Sequence, residues 1–234
     1  MSYVITIDGP AGAGKSSVSR KLADVLRIKY LDTGAIYRAI ALILNEAEIL
    51  PEENNLLNEA LEKIKIELRE KQVLVNDFDV SGEIRTPKVD KLSSIYSALP
   101  SVRRALLGLQ QEQENYGSLI AEGRDVGSVV FPNANLKIYL TASPEARAKR
   151  RFIQRNQENN DNQDNHEYNH ESEFLKILED IKKRDEYDSH REFSPLTIPK
   201  GAIIIDTSDL TEQEVINNIL ELVNQKGLEK LETE

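Results

Sequence analysis

Cysteine is absent from all 234 residues, which excludes a disulfide framework and any thiolate metal site. Long apolar runs are missing too: the longest, Ala39 to Leu44, falls far short of the roughly 18 residues that suggest a membrane span. Basic residues are the minority, 30 Lys and Arg against 40 Asp and Glu, and a net charge of −10 argues against a broad nucleic-acid surface. The opening MSYVITID has no basic-then-apolar form of a signal peptide, so the cytoplasm is the expected compartment. With 39% hydrophobic residues the chain can bury a full core, and one domain spanning residues 1–234 is expected.

What is present is most informative near the N-terminus. The run GPAGAGKS, Gly9 to Ser16, directly follows the apolar stretch Tyr3 to Ile7 and precedes a helix-like pattern, which is the context of a phosphate-binding P-loop. Its glycines let the backbone curl and point N–H groups at phosphate oxygens, and the next helix adds its positive end. Lys15 supplies a mobile cation, and the Ser16 hydroxyl is suited to holding Mg²⁺. Gly9, Pro10, Ala11, Gly12, Ala13, Gly14, Lys15, Ser16 and Ser17 are the candidate residues for a nucleoside triphosphate.

Further along, periodicity predicts a helix over Lys15–Leu26 and a second over Gly34–Ala47, an opening of strand, loop and two successive helices. Asn55–Ile64 continues helical, and Ile66–Leu68 with Val73–Val75 suggest a small hairpin in a compact insert near residues 65–86. Helices over Lys88–Ala98 and Val102–Glu114 meet at Pro100. Strands at Ser118–Ala121, Leu136–Leu140 and Ala202–Ile205 alternate with helices, the last near Glu212–Val223. That alternation implies a parallel sheet covered on both faces, with ligands at the carboxyl ends of its strands.

Several further features carry more than one reading. Asn156 to Glu173 contains no aliphatic residue and no Lys or Arg, so it is expected to be exposed and mobile, in the position of a hinged lid. At its base Arg147, Arg150, Arg151 and Arg155 form either a solvated helix face or the cations of a closing lid. His166-Glu167-Tyr168-Asn169-His170 satisfies the H-E-x-x-H pattern of zinc hydrolases, but without an apolar helix face or a third ligand it reads as a compositional accident. The apolar strand ending in Asp206 is expected to be structural. The strand end at Glu122, Arg124 and Asp125 places three charged side chains at the mouth of the sheet.

At this point the chain resembles the bacterial cytidylate kinases. The resemblance rests on GPAGAGKSS, LDTGAIYRA at Leu31–Ala39, DVSGEIRT at Asp79–Thr86, EGRDVGSVVFP at Glu122–Pro132 and RDEYDSHR at Arg184–Arg191, and spares only the lid tip and the acidic tail. It implies the α/β nucleoside-monophosphate-kinase version of the P-loop fold, with a small β-containing monophosphate-binding insert at 65–98 and a lid at 152–173. The implied reaction moves the γ-phosphoryl group of ATP to CMP or dCMP, with Mg²⁺ accompanying ATP, in pyrimidine metabolism. Lys15 and Arg124 are the implied catalytic residues, and Arg38 with Arg124 would grip the CMP phosphate. Asp125 is matched to the cytosine amine, Arg103 and Arg191 to the base pocket and Thr33 to its edge, and Ser94, Arg184 and Asp188 to the sugar. The expected partners are small molecules, with no nucleic-acid polymer and no membrane, and a monomer is the expected state. Two other readings stay open from the residues: a P-loop kinase for another small acceptor, and a nucleotide-responsive binding protein with negligible turnover.

Overall fold

Five parallel strands run through the centre of the molecule, with β1 (Val4–Asp8) in the middle and completely buried, as a parallel strand covered on both faces requires. The computed structural model describes residues 2–69, 72–158, 170–190 and 195–228. After β1 come α1 (Lys15–Leu26), β2 (Lys29–Asp32), α2 (Thr33–Glu46) and α3 (Asn55–Lys63). An antiparallel sheet of β3 (Ile66–Arg69), β4 (Gln72–Val75) and β5 (Phe78–Asp79) follows, then α4 (Pro87–Tyr96) and α5 (Pro100–Gln111). The chain returns to the central sheet through β6 (Leu119–Gly123), β7 (Leu136–Thr141), α6 (Pro144–Glu158), α7 (His170–Ser189), β8 (Ile203–Asp206) and α8 (Glu212–Gln225).

The central sheet has the order β2-β6-β1-β7-β8, with every neighbouring pair parallel. Alternate side chains of β1 feed two apolar layers. Val4 joins Ile36, Ile40, Leu44 and Val102 on the α2 and α5 side, while Ile5 and Ile7 pack with Leu22 of α1 and Ile219 of α8 on the other. A third cluster, Ala148, Ile177 and Ile181 with Phe152 and Phe174, fastens α6 to α7. Local chemistry sets the helix ends. Asp32 Oδ1 accepts from Ala35 N–H at 2.9 Å to cap α2, Thr86 caps α4 ahead of Pro87, and Thr211 with Glu214 forms a capping box on α8.

Three elements depart from the sequence expectation. The opening is not strand, loop and two successive helices, because β2 lies between α1 and α2; as an edge strand it buries only Leu31, too little for a periodic signal. The insert is three-stranded rather than a hairpin, since Asn76 and Asp77 both take positive φ, 49° and 68°, and turn β4 back into the two-residue β5. Helix α7 begins at His170, ahead of the expected start near Phe174. Residues 159–169, which hold most of the expected lid tip together with His166 and Glu167, lie outside the described residues, as does Arg191. Among the described residues no helix is long and apolar enough to cross a membrane.

Candidate active site

The loop between β1 and α1 depends on backbone conformations open to glycine. Gly9, Gly12 and Gly14 have φ of 147°, 78° and 90°, and a Cβ on Gly9 would stand 2.0 Å from the Leu140 carbonyl oxygen of β7. No side chain caps α1, so its first N–H groups face the loop, which is the arrangement that receives an anion. Lys15 folds back over this loop and donates to the Pro10 carbonyl at 2.8 Å. Burial, with Arg124 nearby, pushes its ammonium down to about 7, against the opposing pull of Glu122 and Asp8. Ser16 is exposed, and the Ser17 hydroxyl donates to the Gly14 carbonyl at 3.1 Å.

Sheet register brings three carboxylates to the mouth of this loop. Asp32 pairs with Glu122 across β2 and β6, and Asp8 pairs with Gly123 across β1 and β6. Glu122 is buried, receives the Tyr30 hydroxyl and lies beside Ser16; burial first, and Asp32 second, raise its pKa. Asp8 is 0% exposed, and burial pushes it up to about 6, although its two oxygens accept the N–H groups of Val126 and Gly127 at 2.7 and 2.8 Å.

Opposite the loop stands a wall of ion pairs. Arg38 of α2 donates through Nε to Asp90 at 3.0 Å and stands 3.8 Å from Asp32, which Arg85 also approaches at 3.1 Å. Arg103 of α5 pairs with the buried Asp125, donates to the Ser97 carbonyl at 3.0 Å, and lies 5.3 Å over the Tyr37 ring. Arg124 reaches Asp188 at 3.0 Å, and Arg184 stands 4.0 Å from the same carboxylate. Burial first and Arg124 second lower Arg184 to about 10. Loop and wall enclose an open cleft of about 200 Å³, lined by Lys15, Ser16, Thr33, Arg38, Ser94, Arg103, Arg124, Asp125 and Arg184 among others.

The fold therefore brings most of the expected residues together. Thr33 lines the cleft, but its hydroxyl is turned to the Glu122 carbonyl at 2.7 Å. Asp188 sits behind Arg124 and Arg184, buried. Three of the four arginines of α6 are held differently. Arg147 is buried and tied to the Ala142 and Ala11 carbonyls at 2.9 and 3.1 Å and to both oxygens of Asp185. Arg150 is held by the Thr207 hydroxyl and carbonyl, while Arg151 lines the cleft and stands 3.5 Å from Asp90. Asp206 accepts from the Ser208 N–H and hydroxyl, a local turn contact. Sequence reasoning missed Asp8, whose partners are 118 and 119 residues away, and Asp90, which carries no local signal.

A P-loop between the central strand and the first helix of a five-stranded parallel sheet, facing an arginine-lined cleft, defines a P-loop kinase. The cytidylate kinase family model matches residues 5–225. The chain is 44% identical over 229 residues to the cytidylate kinase of Caldanaerobacter subterraneus subsp. tengcongensis, covering 97% of this chain and 98% of that one. It is 43% identical over 225 residues to the cytidylate kinase of Mycobacterium leprae, with 96% of each covered, and 42% identical over 227 residues to that of Carboxydothermus hydrogenoformans, with 95% and 98% covered. The chain belongs to the cytidylate kinase family.

Proposed function

We propose that the chain transfers the γ-phosphoryl group of ATP to CMP and dCMP, giving CDP or dCDP and ADP, in the pyrimidine metabolism of the cytoplasm. One observation carries the reading: Lys15 of the P-loop and five arginines from five separated segments, Arg38, Arg103, Arg124, Arg151 and Arg184, line one cleft of a protein whose net charge is −10. Such a concentration of cations suits two polyanions held end to end. The acceptor is a phosphate monoester with a second pKa near 6, so it is largely dianionic at neutral pH and attacks without a general base. The residues' work is to align the two phosphates and to meet the charge that develops on the transferring group.

On the donor side, residues Gly9 to Ser17 cradle the triphosphate and Lys15 follows the moving charge. Mg²⁺ fits the mouth of this loop, because the exposed Ser16 hydroxyl and the buried Glu122 carboxylate stand side by side there as oxygen donors. Ser16 would hold the ion, which supplies charge neutralisation on the phosphate oxygens when bound with ATP. On the acceptor side, Arg38 and Arg124 grip the monophosphate, and Arg151 is the α6 cation that lines the same cleft. Asp125 accepts from the cytosine amine while Arg103, already paired with it, offers donors to the ring acceptors; Thr33 shapes the pocket edge, and Arg191 belongs to the same pocket by family pattern. Ser94 and Arg184, backed by Asp188, support the sugar. Residues 65–98 form the acceptor-binding insert and 152–173 the lid.

A coupled assay of ADP formation with CMP, dCMP, UMP and AMP tests the reading. CMP and dCMP turn over in the presence of Mg²⁺, and UMP is a poor substrate. Preference for another acceptor, or none, contradicts it.

A further inference from the structure

Asp8 is the last residue of β1, directly before the P-loop, and it is fully buried with no place in the chemistry described above. Both its oxygens are committed. Oδ1 accepts from Val126 N–H and Oδ2 from Gly127 N–H, the first two amides of a single turn of π-helix, Val126–Val130, which starts immediately after Arg124 and Asp125. The approach is close because position 127 carries no side chain: a Cβ there would lie 2.6 Å from Thr6 Oγ1 and 2.9 Å from Asp8 Oδ2. One carboxylate thus joins the strand that launches the donor loop to the turn that presents the two residues facing the acceptor.

We propose that Asp8 is a positioning residue that holds the Arg124–Asp125 segment in register with the P-loop, so that acceptor recognition and donor binding share one fixed frame. The inference rests on the function proposed above. A carboxylate is the group this link needs, since it accepts at both oxygens, whereas an amide of the same shape accepts at one and turns an N–H toward the other amide. A buried N–H left unsatisfied in this way drives the turn off its position. Arg124 and Asp125 then shift relative to Lys15 although neither has been altered, and a small misplacement of a positioning group is costly in a reaction that depends on alignment.

Two variants act on the link from opposite sides. Asp8→Asn removes one acceptor, and Gly127→Ala pushes the turn away while leaving the Asp8 charge and its field on Lys15 in place. Each is checked for folding by circular dichroism, then assayed with CMP and with UMP; ATP binding alone is measured calorimetrically for Gly127→Ala. The expected result for both is a rise of about tenfold in KM for CMP, with the ratio of kcat/KM for CMP over UMP falling about as much. ATP affinity of Gly127→Ala stays within about twofold of wild type. Where Asp8→Asn does not fold, Gly127→Ala decides by the same readouts. A CMP-to-UMP ratio equal to that of wild type, or parallel loss of CMP, UMP and ATP binding, overturns the positioning role. A wild-type protein that does not prefer CMP instead overturns the proposed function itself, so the two failures are distinguishable.

Discussion

The two sides of the cleft are built on different principles. The donor loop is backbone: consecutive residues, glycines at positive φ, and the open first turn of α1. The acceptor wall is side chain. It collects Arg38, Arg103, Arg124 and Arg184 from four segments far apart in sequence, and each arginine is already held by a carboxylate, Asp90, Asp125 or Asp188. A backbone cradle recognises any triphosphate, because phosphate oxygens look alike. A lattice of paired charges can discriminate, since an ill-matched acceptor leaves one of its buried members unpaired.

Variants on either side break that comparison in different ways. The largest effect belongs to the one cation that the loop adds to its backbone: Lys15→Ala lowers kcat about 100-fold or more with the fold intact by circular dichroism, and near-normal turnover would remove the lysine from the chemistry. On the wall, Arg38→Met raises KM for CMP about tenfold and leaves KM for ATP within about twofold, which steady-state kinetics with each substrate varied will show. Equal damage to both would mean that the two sides are not separable. A subtler effect follows from Lys15, held down to about 7 in the free cleft by burial. Its charge is lost as pH rises through 7, and the negative triphosphate restores it, so at pH 8 ATP binding takes up a proton and apparent affinity is weaker than at pH 7. Calorimetry in two buffers of different ionisation enthalpy reads this directly; proton release, or none, contradicts it. At the lower limit, replacing His166 and His170 together by Asn leaves CMP phosphorylation unchanged and insensitive to a zinc-selective chelator, whereas stoichiometric zinc and lost activity would place a metal in the chemistry.

The same contrast explains what could be read from the sequence. The donor loop was legible because its residues are contiguous, and α1 begins and ends at the expected Lys15 and Leu26. On the wall, the roles proposed for Arg103, Asp125, Arg184 and Asp188 rest on family resemblance, as no spacing rule links residues that meet only after the sheet has formed. Strand β2 was not legible because one buried leucine makes no period. Nor did the run of arginines on α6 reveal which of them faces the cleft. Packing decided that, by burying Arg147 against Asp185 and the loop carbonyl of Ala11, drawing Arg150 to Thr207, and leaving Arg151 at the cleft. Asp8 is adjacent to the loop in sequence, but its partners lie across the sheet.

The proposed function turns on cytosine being read by the acceptor wall through the Arg103–Asp125 pair. The decisive measurement is kcat/KM for CMP and for UMP in wild type and in Asp125→Ala. In the proposed function Asp125 satisfies the cytosine amine and faces a carbonyl of uracil, so wild type is expected to prefer CMP strongly. Removing the carboxylate lowers CMP turnover far more than UMP turnover, and the ratio of the two falls about 100-fold. A folded Asp125→Ala protein with the wild-type ratio would show that cytosine is read elsewhere.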